Sequence, residues 1–472
     1  MLTDKAVKKF FLDQHGCAKN QVDGEILVTR LLNKGLEQTF DAQDADLIIV
    51  NSCGFIQSAK EESLNSLMDA RQEYPHAKII LAGCLAERYA EFFKTELPEA
   101  DAVFGNGDLS QIDSTVDSLF AGERPVVKPA QKGVCCGNRS LLLNYKGSAY
   151  VKITEGCNNC CSFCAIPIIR GQLRSRKISE IVGEIKELLK RGVKEFNLIG
   201  QDLAAFGCGK DDFVFDANES GEVSSEKSKL LCLLEKIAEL KGDFWIRLLY
   251  IHPDHFNTDI LALLKKDKRF LPYFDIPFQS GDDAIIRAMN RKGTFESYAS
   301  LVEKIRMELG ECSIRTTFLT GFPGESDGQA ERTLEFMQKI QPDWSGCFAY
   351  SREDDTPAAS LKGQVPKKKA LAREKKLQDL QEKITQERLV NRIGKNYPVL
   401  IEEIVQAGED ASEDEGLAIG RSWFQAPEVD GNFVVRYDAQ NKDAVKAVVP
   451  GAIVNARALA VSGVDIDSEL VL

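Results

Sequence analysis

The sequence of 472 residues lacks any uninterrupted apolar stretch long enough to span a bilayer, which excludes a protein held in the membrane by helices. Its opening residues, Met1-Leu2-Thr3-Asp4-Lys5, lack the apolar centre of a secretory signal. The expected location is therefore the cytoplasm, a reducing compartment. A surplus of positive charge is also missing. Lys and Arg number 60 against 72 Asp and Glu, a net charge of −12, which excludes a protein that simply coats nucleic acid. There is no internal repeat and no low-complexity run. Hydrophobic residues make up 43% of the chain, enough for several cores, and the length fits about three domains at roughly 150 residues each.

Cysteine, in contrast, is plentiful at 13 residues. Disulfides do not persist in a reducing compartment, and a chain of this length does not need them. Cys208, Cys232, Cys312 and Cys347 are isolated and read as small core residues. The adjacent pair Cys135-Cys136 has no evident chemistry. Cys157, Cys160, Cys161 and Cys164 form a cluster, whose default reading is a metal or metal-cluster site.

Residues 1–125 alternate short apolar strands (10–12, 47–50, 78–82) with helical stretches (22–34, 58–73, 86–96). Continuous apolar strands separated by helices predict a parallel sheet covered on both faces. Residues 126–148 read as a poorly patterned connector. Strands follow at 149–153, 195–199, 244–248, 273–276, 313–319 and 346–350, and such alternation over 149–365 predicts a partial (β/α) barrel. The polar segment 207–229 reads as a surface insertion. Residues 366–396 predict a charged, solvated connecting helix. From 397 to 472 the pattern changes to short strands and turns, at 399–405, 417–421, 432–437 and 452–460, which predicts a small β-barrel. The fold class is thus α/β with a small all-β domain.

The spacing Cys157-x3-Cys161-x2-Cys164 follows the first barrel strand, at the carboxyl edge where barrel active sites form. Three thiolates hold three corners of a four-iron cluster and leave one iron open for chemistry. Structural zinc and a plain thiol cluster are the alternatives. Cys160 is a poor fourth zinc ligand, because adjacent residues point poorly at one ion. A second set is dispersed: Cys17, Cys53 and Cys84 each follow a predicted parallel strand within a few residues. All three would emerge at one carboxyl edge, where open α/β sheets bind ligands. Either they hold a second cluster or they are three independent strand-end cysteines. His252 and His255 flank Pro253 and read as loop residues. His15 stands two residues before Cys17, near enough to hydrogen-bond beside a cluster.

Gly156-Cys157-Asn158-Asn159-Cys160-Cys161-Ser162-Phe163-Cys164-Ala165-Ile166-Pro167 resembles the signature of radical S-adenosylmethionine enzymes. The continuation from Ile168 to Arg176, Ile-Ile-Arg-Gly-Gln-Leu-Arg-Ser-Arg, is similar to their methylthiotransferase branch. Gly16-Cys17-Ala18-Lys19-Asn20, Asn51-Ser52-Cys53-Gly54 and Ala82-Gly83-Cys84-Leu85 look like that branch's N-terminal domain. The resemblance implies two [4Fe–4S] clusters, one on Cys157, Cys161 and Cys164 and one on Cys17, Cys53 and Cys84. It implies S-adenosylmethionine as source of both methyl group and radical, contacted by Phe163, Gly200, Gln201, Asp202, Gln279 and Thr316. Thr317 sits beside the last of these at the same strand end, and Gly321-Phe322-Pro323-Gly324 would shape a loop near the adenosine. A radical suits a C–H bond with no acidity, which a general base cannot open. The two clusters must then face one cavity, with the N-terminal sheet edge packed over the barrel mouth.

Three strings resemble the branch that modifies ribosomal protein S12 at the β-carbon of an aspartate: residues 51–63, residues 200–207 and residues 420–431. In the second string Leu203 and Phe206 depart from the branch's usual residues. The C-terminal block, which looks like a TRAM domain, holds 14 acidic and 5 basic residues, a charge of −9. That sign repels phosphates and attracts a basic protein. The implied partners are ribosomal protein S12, an electron donor and a sulfur donor, with no membrane. The branch that modifies an adenosine of transfer RNA is the alternative.

Overall fold

The computed structural model describes residues 7–137, 139–216, 227–405 and 415–472. Most of the predicted insertion at 207–229 is therefore described, but 217–226 lie outside the described residues.

The N-terminal sheet comprises β1 (Lys9–Gln14), β2 (Glu37–Gln38), β3 (Leu47–Ser52), β4 (Lys78–Gly83), β5 (Ala102–Phe104) and β6 (Val126–Val127). They run in the order β2-β1-β3-β4-β5-β6, all parallel. Its helices are α1 (Ala18–Asn33), α2 (Gln57–Glu73), α3 (Cys84–Glu96) and α4 (Ile112–Phe120). The two-residue period of a strand divides the apolar run between two faces. Leu47 and Ile49 pack with Val22, Leu27 and Leu31 of α1, whereas Ile48 and Val50 pack with Leu67 of α2 and Phe93 of α3. Half of the sheet's strands were not legible in the sequence. β2, β5 and β6 are two or three residues long, too short to show a period. β6 also falls inside the segment expected to be a connector.

The central domain has a small hairpin and a six-stranded open barrel. The barrel strands are β7 (Ser148–Lys152), β10 (Glu195–Ile199), β11 (Trp245–Leu248), β12 (Phe270–Asp275), β13 (Ser313–Thr320) and β14 (Trp344–Ala349). They form one parallel sheet in the order β14-β13-β12-β11-β10-β7. Between β7 and β10 lie β8 (Thr154–Glu155), α5 (Ile166–Arg170), β9 (Arg174–Ser175) and α6 (Ile178–Lys190), with β8 and β9 paired antiparallel. The outer layer continues with α7 (Lys229–Ala238), α8 (Leu261–Lys266), α9 (Asp283–Ala288), α10 (Phe295–Leu309) and α11 (Asp327–Ile340).

The following helix, α12 (Lys367–Val390), is not the solvated connector expected from its charge. It buries Leu377 and Ile384 in the barrel's outer core, and its Gln381 and Thr385 bond the chain that leads into β14. The apolar stripe is narrow, so charged residues dominate the composition while a few side chains decide the packing.

The C-terminal domain is a closed barrel of β15 (Asn396–Val405), β16 (Glu415–Ser422), β17 (Phe433–Asp438), β18 (Ile453–Ser462) and β19 (Asp465–Val471) in the order β15-β16-β17-β19-β18. A short helix, α13 (Lys442–Ala447), joins β17 to β18. Residues 421–430 dock on the first residues of the central strands, at the end opposite the cysteine loop. Ser313 Oγ and Trp344 Nε1 both donate to the Phe424 carbonyl, at 3.2 and 2.7 Å. Glu195 accepts from Arg247 and Arg421, all three buried. Arg315 and Tyr273 both bond Asp430, at 2.9 and 2.6 Å.

Candidate functional site

The carboxyl edge of the N-terminal sheet packs over the barrel mouth and encloses a cavity of about 820 Å³. Cys17, Cys53 and Cys84 line it from the N-terminal domain; Cys157, Cys161 and Cys164 line it from the loop after β7. The sheet explains the first triad. β1, β3 and β4 are neighbours in register, so the loops beyond them start level. Glycine lets those loops converge: a Cβ on Gly54 would lie 2.7 Å from the Cys84 carbonyl oxygen. The second triad depends in the same way on Gly156, at φ +76°, where a Cβ would fall 2.1 Å from the Gln172 carbonyl oxygen.

Around one zinc ion, with Zn–S bonds of about 2.3 Å, three thiolates stand roughly 3.7 Å apart. Among the described residues no three His, Cys, Asp or Glu side chains converge on a single ion in that way. Three thiolates at a cavity wall are the donor set of a four-iron cluster with one iron left open, and each triad supplies such a set.

Burial pushes the Cys53 thiol up to about 12, aided by Cys84 beside it. Burial likewise pushes Cys157 to about 11 and Cys164 to about 12. Such thiols ionise when a metal takes the place of the proton. At Cys17, burial is outweighed by Lys19, Arg170 and two backbone N–H groups, which hold the thiol below its ordinary value. Cys84 is raised by burial, although Arg170 Nη2 donates to its sulfur at 3.1 Å.

Arg170 belongs to a buried network that sequence reasoning did not find. It bonds Asp23 of α1 and Glu155 of β8, both at 2.9 Å, and Lys152 of β7 bonds the same two carboxylates. Gln201 Nε2 donates to Glu155 at 3.0 Å. Its Oε1 is buried without a partner.

The other expected contacts divide. Phe163, Gln201 and Gln279 line the cavity. Gln279 holds a left-handed backbone, φ 72°, fixed by hydrogen bonds of 2.8 Å on both sides to β13. Asp202 does not line the cavity. It sits behind the wall and accepts hydrogen bonds from Asn159 at 2.9 Å and from the His252 backbone at 3.1 Å, which orients both residues. Gly200 also lies behind the wall, packed so closely on Thr154 that a Cβ would come within 2.0 Å of its hydroxyl.

Thr316 is a correction. On β13 it shares a face with Ile314 and Phe318, which belong to the helix-covered core, and its Oγ1 accepts from Phe278 N. Thr317, one residue on and on the opposite face, lines the cavity instead. His252 is in a loop, as expected, yet it reaches the cavity with Nε2 3.8 Å from Cys161 Sγ. His15, Lys19, Tyr250 and Arg291 complete the polar wall. Of these, the sequence singled out only His15, because the contacts cross between domains.

Three family models match in series: uncharacterized protein family UPF0004 over residues 9–105, the radical SAM superfamily over 151–337, and the TRAM domain over 393–471. A ribosomal protein uS12 methylthiotransferase of Treponema denticola is 53% identical, over 97% of this chain and 99% of its own. The chain belongs to the ribosomal protein uS12 methylthiotransferase family. Members from Syntrophotalea carbinolica and Carboxydothermus hydrogenoformans are 39% and 36% identical over 89% and 92% of this chain, and over 89% and 94% of their own. A radical S-adenosylmethionine methyltransferase of Kitasatospora setae has the same fold over 75% of each chain, with a TM-score of 0.53 at 13% identity. Among the described residues no helix is long and apolar enough to cross a membrane. In this uS12 methylthiotransferase relative, both cysteine triads therefore open on one cavity.

Proposed function

We propose that this chain is a radical S-adenosylmethionine methylthiotransferase that replaces a C–H on the β-carbon of an aspartate in ribosomal protein S12 with C–SCH3. What carries the reading is the shared cavity: two cysteine triads, from two domains, line one enclosure of about 820 Å³. Triads on opposite faces of the molecule would have ruled it out.

Cys157, Cys161 and Cys164 would hold one [4Fe–4S] cluster with an open iron, and Cys17, Cys53 and Cys84 the other. Bound there, the clusters and S-adenosylmethionine supply the carbon radical, the sulfur and the methyl group that an unactivated C–H requires. The chain's own residues shape the space. Phe55, Ile56 and Phe163 line the cavity with apolar surface, the kind of wall that limits water around a reactive carbon. Gln201 and Gln279 offer amide groups to the methionine part of the cofactor, and Asp202 positions Asn159 and His252 from behind.

The substrate class draws support from family membership and from the C-terminal barrel. Glu402 and Asp430 of that barrel turn inward onto Arg421 and Arg315. Other carboxylates, among them Glu403, Glu415 and Asp443, face solvent and suit a basic protein. The reaction would run in the cytoplasm with external electron and sulfur donors.

The test is an anaerobic competition. Reconstituted enzyme receives S-adenosylmethionine, reductant and sulfide, together with S12 and unmodified transfer RNA, and mass spectrometry follows both. A methylthio group on an S12 aspartate is the expected result. A modified adenosine with untouched S12 would overturn the reading.

A further inference from the structure

One cation in the cavity, besides favouring the Cys17 thiolate, has no carboxylate of its own among the described residues. Lys19 lies two residues after Cys17, in the first turn of α1, and is 7% exposed. Its Nζ sits 3.0 Å from the centre of the Tyr250 ring. Among the described residues it makes no ion pair and no side-chain hydrogen bond. Arg170 is bound to Asp23 and Glu155. Arg291, which donates to the Pro277 carbonyl at 2.5 Å and stands 6.0 Å from the Phe163 ring, also has no carboxylate partner among the described residues, but it lies with the cysteine loop of the central domain rather than beside Cys17.

Position makes the arrangement costly. An ammonium in the first turn of a helix opposes the positive end of the macrodipole, and burial with no carboxylate in direct contact adds a desolvation cost, which Cys17 and Asp275 nearby offset only in part. Tyr250 is held there at equal expense: its backbone is left-handed, φ 68°, fixed by its N–H on Asp275 and its carbonyl on Leu203 N. An aromatic platform under an unpaired ammonium leaves the other side of the charge open to the cavity. What completes such a site is an anion that arrives with a ligand.

Building on the proposed function, we infer that Lys19 binds a carboxylate, and that this carboxylate belongs to the substrate aspartate. Two carboxylates enter the cavity, one on S-adenosylmethionine and one on the aspartate. Lys19 rises from the N-terminal domain two residues after Cys17 and brings its ammonium to Tyr250, whereas the open iron expected to hold the methionine part would sit on Cys157, Cys161 and Cys164, in the loop after β7. A lysine here makes an acid side chain, rather than its amide, the preferred target. It also anchors the β-carbon's own carboxylate next to the N-terminal triad.

The experiment uses holoenzyme, wild type, Lys19→Met and Lys19→Arg, each checked for unchanged iron and sulfide content. S12 is supplied with its target Asp or with Asn at that position. Binding of each S12 is read by anisotropy, S-adenosylmethionine affinity by equilibrium dialysis, and product by mass spectrometry. The expected result is that wild type binds the Asp form about tenfold or more tighter than the Asn form. Lys19→Met should lose that discrimination with S-adenosylmethionine affinity unchanged, and Lys19→Arg should recover part of it. Preference for Asp retained in Lys19→Met overturns the proposal. So does a loss confined to S-adenosylmethionine affinity, which would give the lysine to the cofactor's carboxylate. Wild type that binds neither form of S12 would count against the function itself, a separate outcome from either of these.

Discussion

At the residue scale the six cysteines divide between two domains, three from each, around one cavity. Cys84→Ala is expected to remove the N-terminal cluster and spare the other, halving the iron from about eight to about four per chain. Cys164→Ala should do the reverse. Iron analysis with electron paramagnetic resonance checks both, and full iron retained in a Cys17, Cys53, Cys84 triple variant would end the two-cluster reading. Arg170→Gln removes one of the two cations, Arg170 and Lys152, that neutralise the buried carboxylates Asp23 and Glu155. Loss of one partner from a buried charge network costs about 3–5 kcal/mol, so a clear fall in thermal midpoint is expected by calorimetry. The cysteines were legible in the sequence because each follows an apolar strand that fixes where its loop emerges. Lys19, Arg170 and Tyr250 were not, since each acquires its role from a neighbour more than 80 positions away. Thr316 fell on the wrong face by one residue: the end of a strand can be read from composition, but the parity of its pleat there depends on tertiary contacts.

At the element scale the loops after β1, β3 and β4 are held together by close backbone approach. Gly54→Ala places a Cβ 2.7 Å from the Cys84 carbonyl. The expected outcome is a chain that folds and keeps the cluster on Cys157, Cys161 and Cys164 but assembles the N-terminal one poorly, seen as an iron content near that of Cys84→Ala. The sequence showed the long strands and helices, where period and burial agree. It did not show β2, β5 and β6, whose few residues are recruited by the edge of a sheet already formed. In α12 the charge pattern suggested a free helix, while Leu377 and Ile384 bind it to the barrel. Leu377→Ala should cost about 2–5 kcal/mol, measurable by denaturant unfolding, where a truly solvated helix would lose almost nothing.

At the scale of the whole molecule the C-terminal barrel is joined to the central one through Glu195. Burial alone would raise this carboxyl, but Arg421 and Arg247 outweigh it and hold it below the ordinary glutamate range. A depressed carboxyl contributes stability above its unfolded value, about 4.3, and that contribution is lost as the pH falls below it. Glu402, on the same Arg421, is pushed up by burial, so it gives no such acid-side loss. Acidification below about pH 4 should therefore loosen the C-terminal barrel, detectable as faster proteolysis between α12 and β15. Glu195→Gln should weaken docking at neutral pH and flatten that acid dependence.

The network around Asp23 bears on how such a chain can change through time. One face of the N-terminal sheet has a core of its own, and on that ground the domain looks like a module to be exchanged. Yet among the described residues Asp23 and Glu25 on α1 form ion pairs only with Lys152, Arg170 and Arg139, which lie beyond residue 137. A graft of this domain onto a foreign barrel leaves Asp23 and Glu25 without these bases, and leaves Lys152, Arg170 and Arg139 facing Glu155 and Glu184 with more positive than negative charge. Descent should then have passed the two domains on together, and charge-altering substitutions at Asp23, Glu25, Lys152, Arg170 and Arg139 should be found in compensating pairs.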